Sequence, residues 1–550
     1  MRSQHHLDVL DTLLARERPF GDSDYVHEQL QVRYKRRLGQ VAALLPVAGE
    51  LSRALDQANS VRRYRVIGDP VVRYAVHQAL RQVVKGSQDG LPLDDCEGVF
   101  RETLRYLDER KIGGPTEAGL SNVRRLGTES FHGWTWSEEH PDDVFGRSFR
   151  KIVRDNFQGE PLCVPSADDL AKLAKGAELL AALMPLTSRS ALSHAHVVVV
   201  VPHVGRWMQK GSCSEFRVGG AIFLNRDMLK NPWWVAEHLF HESLHQKLYD
   251  FRQAHSLLAQ DIAPPTSEDS AAVCAIWNVG GSNRSNAWDT FRVIAAFHVY
   301  VHLAVLCLQA DRRKSDLVKR FGAPDASFPT MTSRREAFER SHYLGRKLKE
   351  SCWHELGPAG RLLVDWLMSI MKTIDPLPPP TETVYLHLLL NRYIVEAVML
   401  SEKKLSPEVA APLTALVDDE AETVRSVLSA LGDGRPQIER LGEGLPRRAD
   451  ESAEAHLLRF RTLIAKILQA QSPDGYGLRR PPTTESLALD KTIEAMIERS
   501  SQRLASALAA PRDSREDPTP RASTDQPRRG SSEETPPGST AASSDVAAPT

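Results

Sequence analysis

Five residues near the middle of the chain carry its clearest chemical signal: His241-Glu242-Ser243-Leu244-His245, the pattern H-E-x-x-H. Histidines four apart on a helix stand one turn apart on one face, so both imidazoles can reach a single metal ion. The glutamate lies one position round, where a carboxylate can accept a proton from metal-bound water. The residues in front predict the helix that must hold them. Asn231 suits a cap, because its side chain accepts from free backbone N–H groups, and Pro232 suits the first helical position. Phe240, Leu244, Leu248 and Phe251 give the helix an apolar side, which predicts burial.

A catalytic metal centre takes three protein ligands and keeps one position open. Segment 291–308 is apolar nearly all round and reads as a buried helix, with His298 and His302 one turn apart inside it. A buried imidazole must be hydrogen-bonded or ligating. His298 is the expected third ligand, and His302 and Glu268 are the alternatives. Glu268 would suit a gluzincin-like peptidase, whose third ligand is a later carboxylate. No H-E-x-x-H-x-x-G-x-x-H arrangement occurs, which excludes a metzincin.

The elements that must position these residues can be read from periodicity. The run of valines from 197 to 201, stopped by Pro202, predicts a buried strand. "FRVGGAIFLN" predicts a second, with Gly219-Gly220 permitting a bulge or a close backbone approach. A strand followed by an H-E-x-x-H helix is the local layout of zincins. The expected fold class is therefore α+β, predominantly α-helical, with a zincin-like strand plus HExxH-helix core and helical flanking regions. The expected regions are a helical N-terminal part (1–190), a metal-binding catalytic core (191–372), a helical C-terminal part (373–505) and a disordered tail (506–550) rich in Pro, Ser, Thr and charge. "HGWTWSEEHPDDVFGRSF" reads as a loop.

Bulk properties narrow the function classes. The 550 residues hold 70 basic and 71 acidic side chains, a net charge of -1, which gives no reason to expect nucleic acid or an anionic membrane as partner. No uninterrupted apolar run approaches the ~18 residues that span a bilayer, and the N-terminus lacks an apolar signal segment. The 6 cysteines are scattered without a C-x-x-C pair, as in a reducing compartment. A cytoplasmic location is expected.

"LFHESLHQKLYDF", Trp277, "WDTFRVIAAFHVYVHLAVL" and "RSHYLGRKL" together resemble the bacterial HExxH-motif proteins found beside ribosomal-peptide biosynthesis genes. Members of that group are assigned as iron- and 2-oxoglutarate-dependent peptide β-hydroxylases, with a later histidine in a buried helix that matches His298. The resemblance covers residues 215 to 370 and implies Fe(II) on His241, His245 and His298, 2-oxoglutarate as cosubstrate, and a peptide or carrier-bound peptide as substrate. Three neutral ligands leave the ion its full charge for an anionic cosubstrate. The far carboxylate of that cosubstrate then needs an arginine; Arg292 is expected, with Arg252 and Arg284 next. Two other readings stand beside this one. A zinc peptidase would use Glu242 as general base, and "GGAIFLN" could pair edge-on with an extended peptide. A non-catalytic scaffold would use the helical flanks and tail to dock a carrier or precursor peptide.

Overall fold

Helical periodicity dominates the chain, and the computed structural model is predominantly α-helical, with a five-stranded sheet and a two-stranded pairing of Val273–Cys274 with Ala287–Trp288. It describes residues 4–86, 90–109, 124–125, 134–136, 143–157, 159–209, 211–259, 270–279, 286–324, 332–401, 407–432, 435–471 and 483–509. Glu268, Arg284 and the chain from 510 onward lie outside these residues. Two units are formed. The first takes Met1–Gln260, Ala271–Val273 and Trp288–Pro379, and the second Asp261–Ser270, Cys274–Ala287 and Pro380–Thr550.

In the first unit, helices α1 (Gln4–Arg16), α2 (Ser23–Val41), α3 (Pro46–Gln57), α4 (Ser60–Gly68), α5 (Pro70–Lys85), α6 (Leu93–Asp108), α7 (Val144–Phe157), α8 (Ala167–Leu183) and α9 (Pro185–Leu192) lead into the sheet. The motif helix α10 (Pro232–Ala254) follows, then α11 (Thr290–Phe321), α12 (Arg334–Glu350) and α13 (Pro358–Ile374). The strands are β1 (Arg124–Arg125), β2 (Trp134–Thr135), β3 (Val197–Val201), β4 (Ser212–Cys213) and β5 (Ala221–Asn225), in the order β1-β2-β3-β5-β4. β2, β3 and β5 are parallel, while β1 and β4 run antiparallel to their neighbours. β3 and β5 carry almost only apolar residues, as strands buried on both faces do. Val197, Val199, Val201, Ala221 and Phe223 join the core of α2 to α7, and Val198, Val200, Ile222 and Leu224 are equally inaccessible.

Two sequence expectations are corrected here. The stretch taken as a loop contains β2, where Trp134-Thr135 pair with Val197-Val198, and Val144 already starts α7. Trp134 and Thr135 are placed by pairing with a distant strand, which no local pattern encodes. The peptide-pairing edge expected in "GGAIFLN" is interior as well: β5 is bonded to β3 along its length and to β4 at Phe223 and Leu224. The terminal strand on this side is β4.

Gly220 is required by the backbone. Its φ is +94°, and a Cβ there would lie 2.2 Å from the Gly68 carbonyl oxygen. Its N–H donates to Gln246 Oε1 of α10 (2.7 Å) and its carbonyl accepts from His196 N and Val197 N, tying the sheet to the motif helix. Gly220→Ala is expected to cost about 1–3 kcal/mol from backbone strain alone. Gly39→Ala, in open space within α2, should be neutral or stabilising by up to about 1 kcal/mol. Urea titration of both variants checks the pair.

The second unit is helical: α14 (Leu386–Ser401), α15 (Pro407–Ala430), α16 (Arg435–Gly444), α17 (Ala453–Gln471) and α18 (Thr484–Ala509). Tyr393, Val424, Phe460, Ile464 and Ile497 lie in its core, and the buried Arg461 donates to Glu420 (2.7 Å) and to the Tyr393 carbonyl (3.0 Å).

Candidate metal centre

The start of α10 forms as its sequence predicts. Asn231 Oδ1 accepts from Trp233 N at 2.9 Å, and Pro232 takes the first helical position. The helix is packed by α2, α8, α9 and α11, so it has little solvent-facing surface. Between Trp233 and Phe251 the residues not fully buried are His238, His241, His245 and Tyr249, and Arg252 follows. Spacings of three and four place these five on one stripe. The accessible face of an otherwise buried helix is thus made of imidazoles, a phenol and a guanidinium.

His241 and His245 meet there, with their Nε2 atoms 3.2 Å apart. Two nitrogens each ~2.0–2.1 Å from a tetrahedral ion stand about 3.3 Å apart, so the pair has the separation of two metal ligands. Burial, with the His241 charge second, lowers His245 to about 4. His245 is therefore neutral at pH 7, with a ring lone pair for a metal. Its Nδ1 is buried without a hydrogen-bond partner. His238 lies beside the pair, stacked on Trp234 with ring centroids 3.9 Å apart, and donates from Nδ1 to the Trp234 carbonyl at 3.0 Å. That bond puts the His238 proton on Nδ1 and leaves Nε2 as an acceptor.

Glu242 is 4% exposed and held from the sheet edge: Ser212 Oγ donates to Oε1 (2.6 Å) and Ser214 Oγ to Oε2 (2.7 Å). Ser212 belongs to β4, and residues 212 and 214 share a face of an extended chain. Tyr249 continues the stripe one turn beyond His245, its ring 6.0 Å from the imidazole. Burial, and then the charge of Glu242, raise its hydroxyl above the ordinary tyrosine range, and Ser214 hydrogen-bonds it. Phe216 and Phe291 flank Tyr249 at 5.5 and 6.0 Å, and Arg252 lies over both, 4.6 and 4.0 Å from their centroids.

His298 is buried on α11, which runs antiparallel to α10: Phe291 meets Tyr249 and His302 meets Phe240. Burial lowers His298 well below the usual histidine range, helped by His302, Lys247 and His245. Its Nδ1 is buried without a hydrogen-bond partner. His302 donates from Nδ1 to the His298 carbonyl at 2.7 Å, which accounts for that nitrogen. The three imidazoles His241, His245 and His298 do not converge on one point: no group of three His, Cys, Asp or Glu arranged for a metal occurs among the described residues. Arg292 stands over Trp288 at 4.6 Å, whereas Arg252 sits in the aromatic group beside Tyr249.

The opposite face of α10 is anchored by a buried polar network. Asp250 accepts from Arg73 Nη1 (2.6 Å), Tyr64 Oη (3.2 Å) and His194 Nδ1 (2.7 Å). Since a carboxylate only accepts, the His194 proton sits on Nδ1, and Nε2 lies 3.0 Å from Ser23 Oγ. Lys247 donates to the Gly21 carbonyl (2.6 Å) and to Ser190 Oγ (2.7 Å). Burial lowers this lysine to about 7, against a smaller raising effect of Asp22.

Tyr249, Ser212, Ser214 and Phe216 were not anticipated from sequence. Tyr249 left a signal, being four residues beyond His245; the serines left only an alternation too short to read. Compared with profiles of known protein families and with curated proteins, the chain matches none.

Proposed function

We propose that this chain is a metal-dependent enzyme acting on a peptide or peptide-like natural product, by Fe(II)- and 2-oxoglutarate-dependent hydroxylation. The observation that carries the reading is the accessible stripe of α10, where the His241 and His245 nitrogens lie at ligand separation on a buried helix. His298, buried on the neighbouring helix α11 with an unpartnered Nδ1, is the proposed third donor and would have to swing toward the His241–His245 pair to share an ion with it. A bound Fe(II) would supply the activation of oxygen. The strand-then-helix order, with β4 at the sheet edge beside Glu242, supports a zincin-like core, and an extended peptide could add to that edge.

Hydroxylation is favoured over hydrolysis by the state of Glu242. Both its oxygens accept from serine hydroxyls, which hold the carboxylate against the sheet edge as an orienting group would be held. In this reading Glu242 orients the site. Arg252, held between two phenyl rings on the histidine stripe, replaces Arg292 as the proposed partner of the cosubstrate carboxylate.

The test is anaerobic loading of metal-free protein with Fe(II), followed by 2-oxoglutarate. A weak visible charge-transfer band, absent from His241→Ala, is the expected result. Arg252→Gln should weaken 2-oxoglutarate about tenfold or more, as loss of a charged hydrogen bond does, while Arg292→Gln should not. No band, together with tightly retained zinc and Glu242-dependent peptide cleavage, would replace this reading with a zinc peptidase.

A further inference from the structure

A cavity in the first unit is lined by none of the residues of the histidine stripe. It has a volume of about 480 Å³ and is walled by α2, α4 and the link from α9 to β3. Small-molecule sites span roughly 300–1,000 Å³, so its size is suitable. Tyr64 and His27, 7% and 8% exposed, form one wall, stacked with ring centroids 3.4 Å apart. The Tyr64 hydroxyl donates to Asp250, which fixes that wall before any ligand arrives.

The chain Ser23–His194–Asp250 behind this wall has the hydrogen-bond order of a nucleophile, a base and an orienting acid. It is not a nucleophilic site. His194 is completely buried, and the Ser190 hydroxyl and carbonyl lie 2.6 and 2.9 Å from Ser23 Oγ, where a substrate would have to sit. The chain is the support of the wall.

Charge in the lining is specific. Asp24 and Glu28 stand one turn apart on α2, exposed to solvent, and Arg65 projects from α4. None of the three forms an ion pair among the described residues, although Arg18 adds its field at Glu28. Asp69 is already committed, because Oδ1 caps α5 by accepting from Val71 N and Val72 N. Burial keeps His27 and His196 uncharged at neutral pH. The cavity therefore offers two available carboxylates and one available guanidinium.

We infer that this cavity is a binding site for a small zwitterion with an excess of amine, a free dibasic amino acid, whose carboxylate pairs with Arg65 and whose ammonium groups pair with Asp24 and Glu28. Such a ligand matches both signs of the lining, which neither a diamine nor a dicarboxylate does.

Titration calorimetry on the full chain tests this with three probes of similar length: L-ornithine, putrescine and glutarate. Ornithine is expected to bind at least tenfold more tightly than either of the others. Arg65→Gln should lower ornithine to the level of putrescine, and Asp24→Asn with Glu28→Gln should weaken it at least tenfold. These side chains are not buried, so unchanged thermal unfolding will show that the variants fold. Failure of millimolar ornithine to bind, equal binding of ornithine and putrescine, or an unaltered affinity in Arg65→Gln overturns the inference. The site does not depend on the metal-centre reading and can fail without it.

Discussion

His241→Ala and His245→Ala are each expected to abolish stable metal binding, measured by metal content after loading and desalting. The two nitrogens are 3.2 Å apart on adjacent turns of one stripe, so removing either leaves a single donor of the pair. Loss of a ligand should exceed the about 10–100-fold reduction typical of losing a supporting residue. His298→Ala should behave in the same way if its imidazole completes the donor set, and Glu268→Ala should keep the metal. Metal retained in His298→Ala but lost in Glu268→Ala would transfer the third position to the carboxylate and turn the proposal toward hydrolysis. Because His241 and His245 are partly accessible on a helix packed by other residues, unchanged unfolding curves should accompany the loss.

Asp250→Ala is expected to destabilise the first unit by about 3–5 kcal/mol, since it leaves the buried Arg73 without its counter-charge. Denaturant titration measures this. A loss below about 1 kcal/mol would show that the network contributes packing alone. The pH dependence has a defined sign. Burial alone would raise the Asp250 carboxyl, but the Arg73 charge and the His194 hydrogen bond outweigh it and hold the group far below the usual carboxylate range. Its stabilisation is therefore complete above the unfolded value of about 4 and is lost as pH falls below it. Lys247 acts at the other end. With a folded value of about 7 and an unfolded value of about 10.4, it makes folding less favourable at neutral pH and releases that cost as pH rises between the two. Two acceptors, Gly21 O and Ser190 Oγ, suit the two N–H groups of the neutral amine.

Features that depend on neighbours along the chain were legible in the order of residues. Asn231 and Pro232 start the motif helix, and the four-residue spacing of His241 and His245 puts them on one face because an α-helix turns once in 3.6 residues. Five consecutive valines make a strand buried on both sides, and the apolar surround of His298 and His302 makes a buried helix. The tertiary structure decided which face of α10 stayed open, since that depends on packing by helices distant in sequence. It also decided that serines 212 and 214 hold Glu242, that Phe216 and Phe291 clamp Arg252 instead of Arg292, and that β4 replaces β5 at the sheet edge. Asp250 shows the reason most clearly. Its partners Arg73 and His194 are 177 and 56 residues away, and no local periodicity carries information about contacts made only when separate helices close on one another.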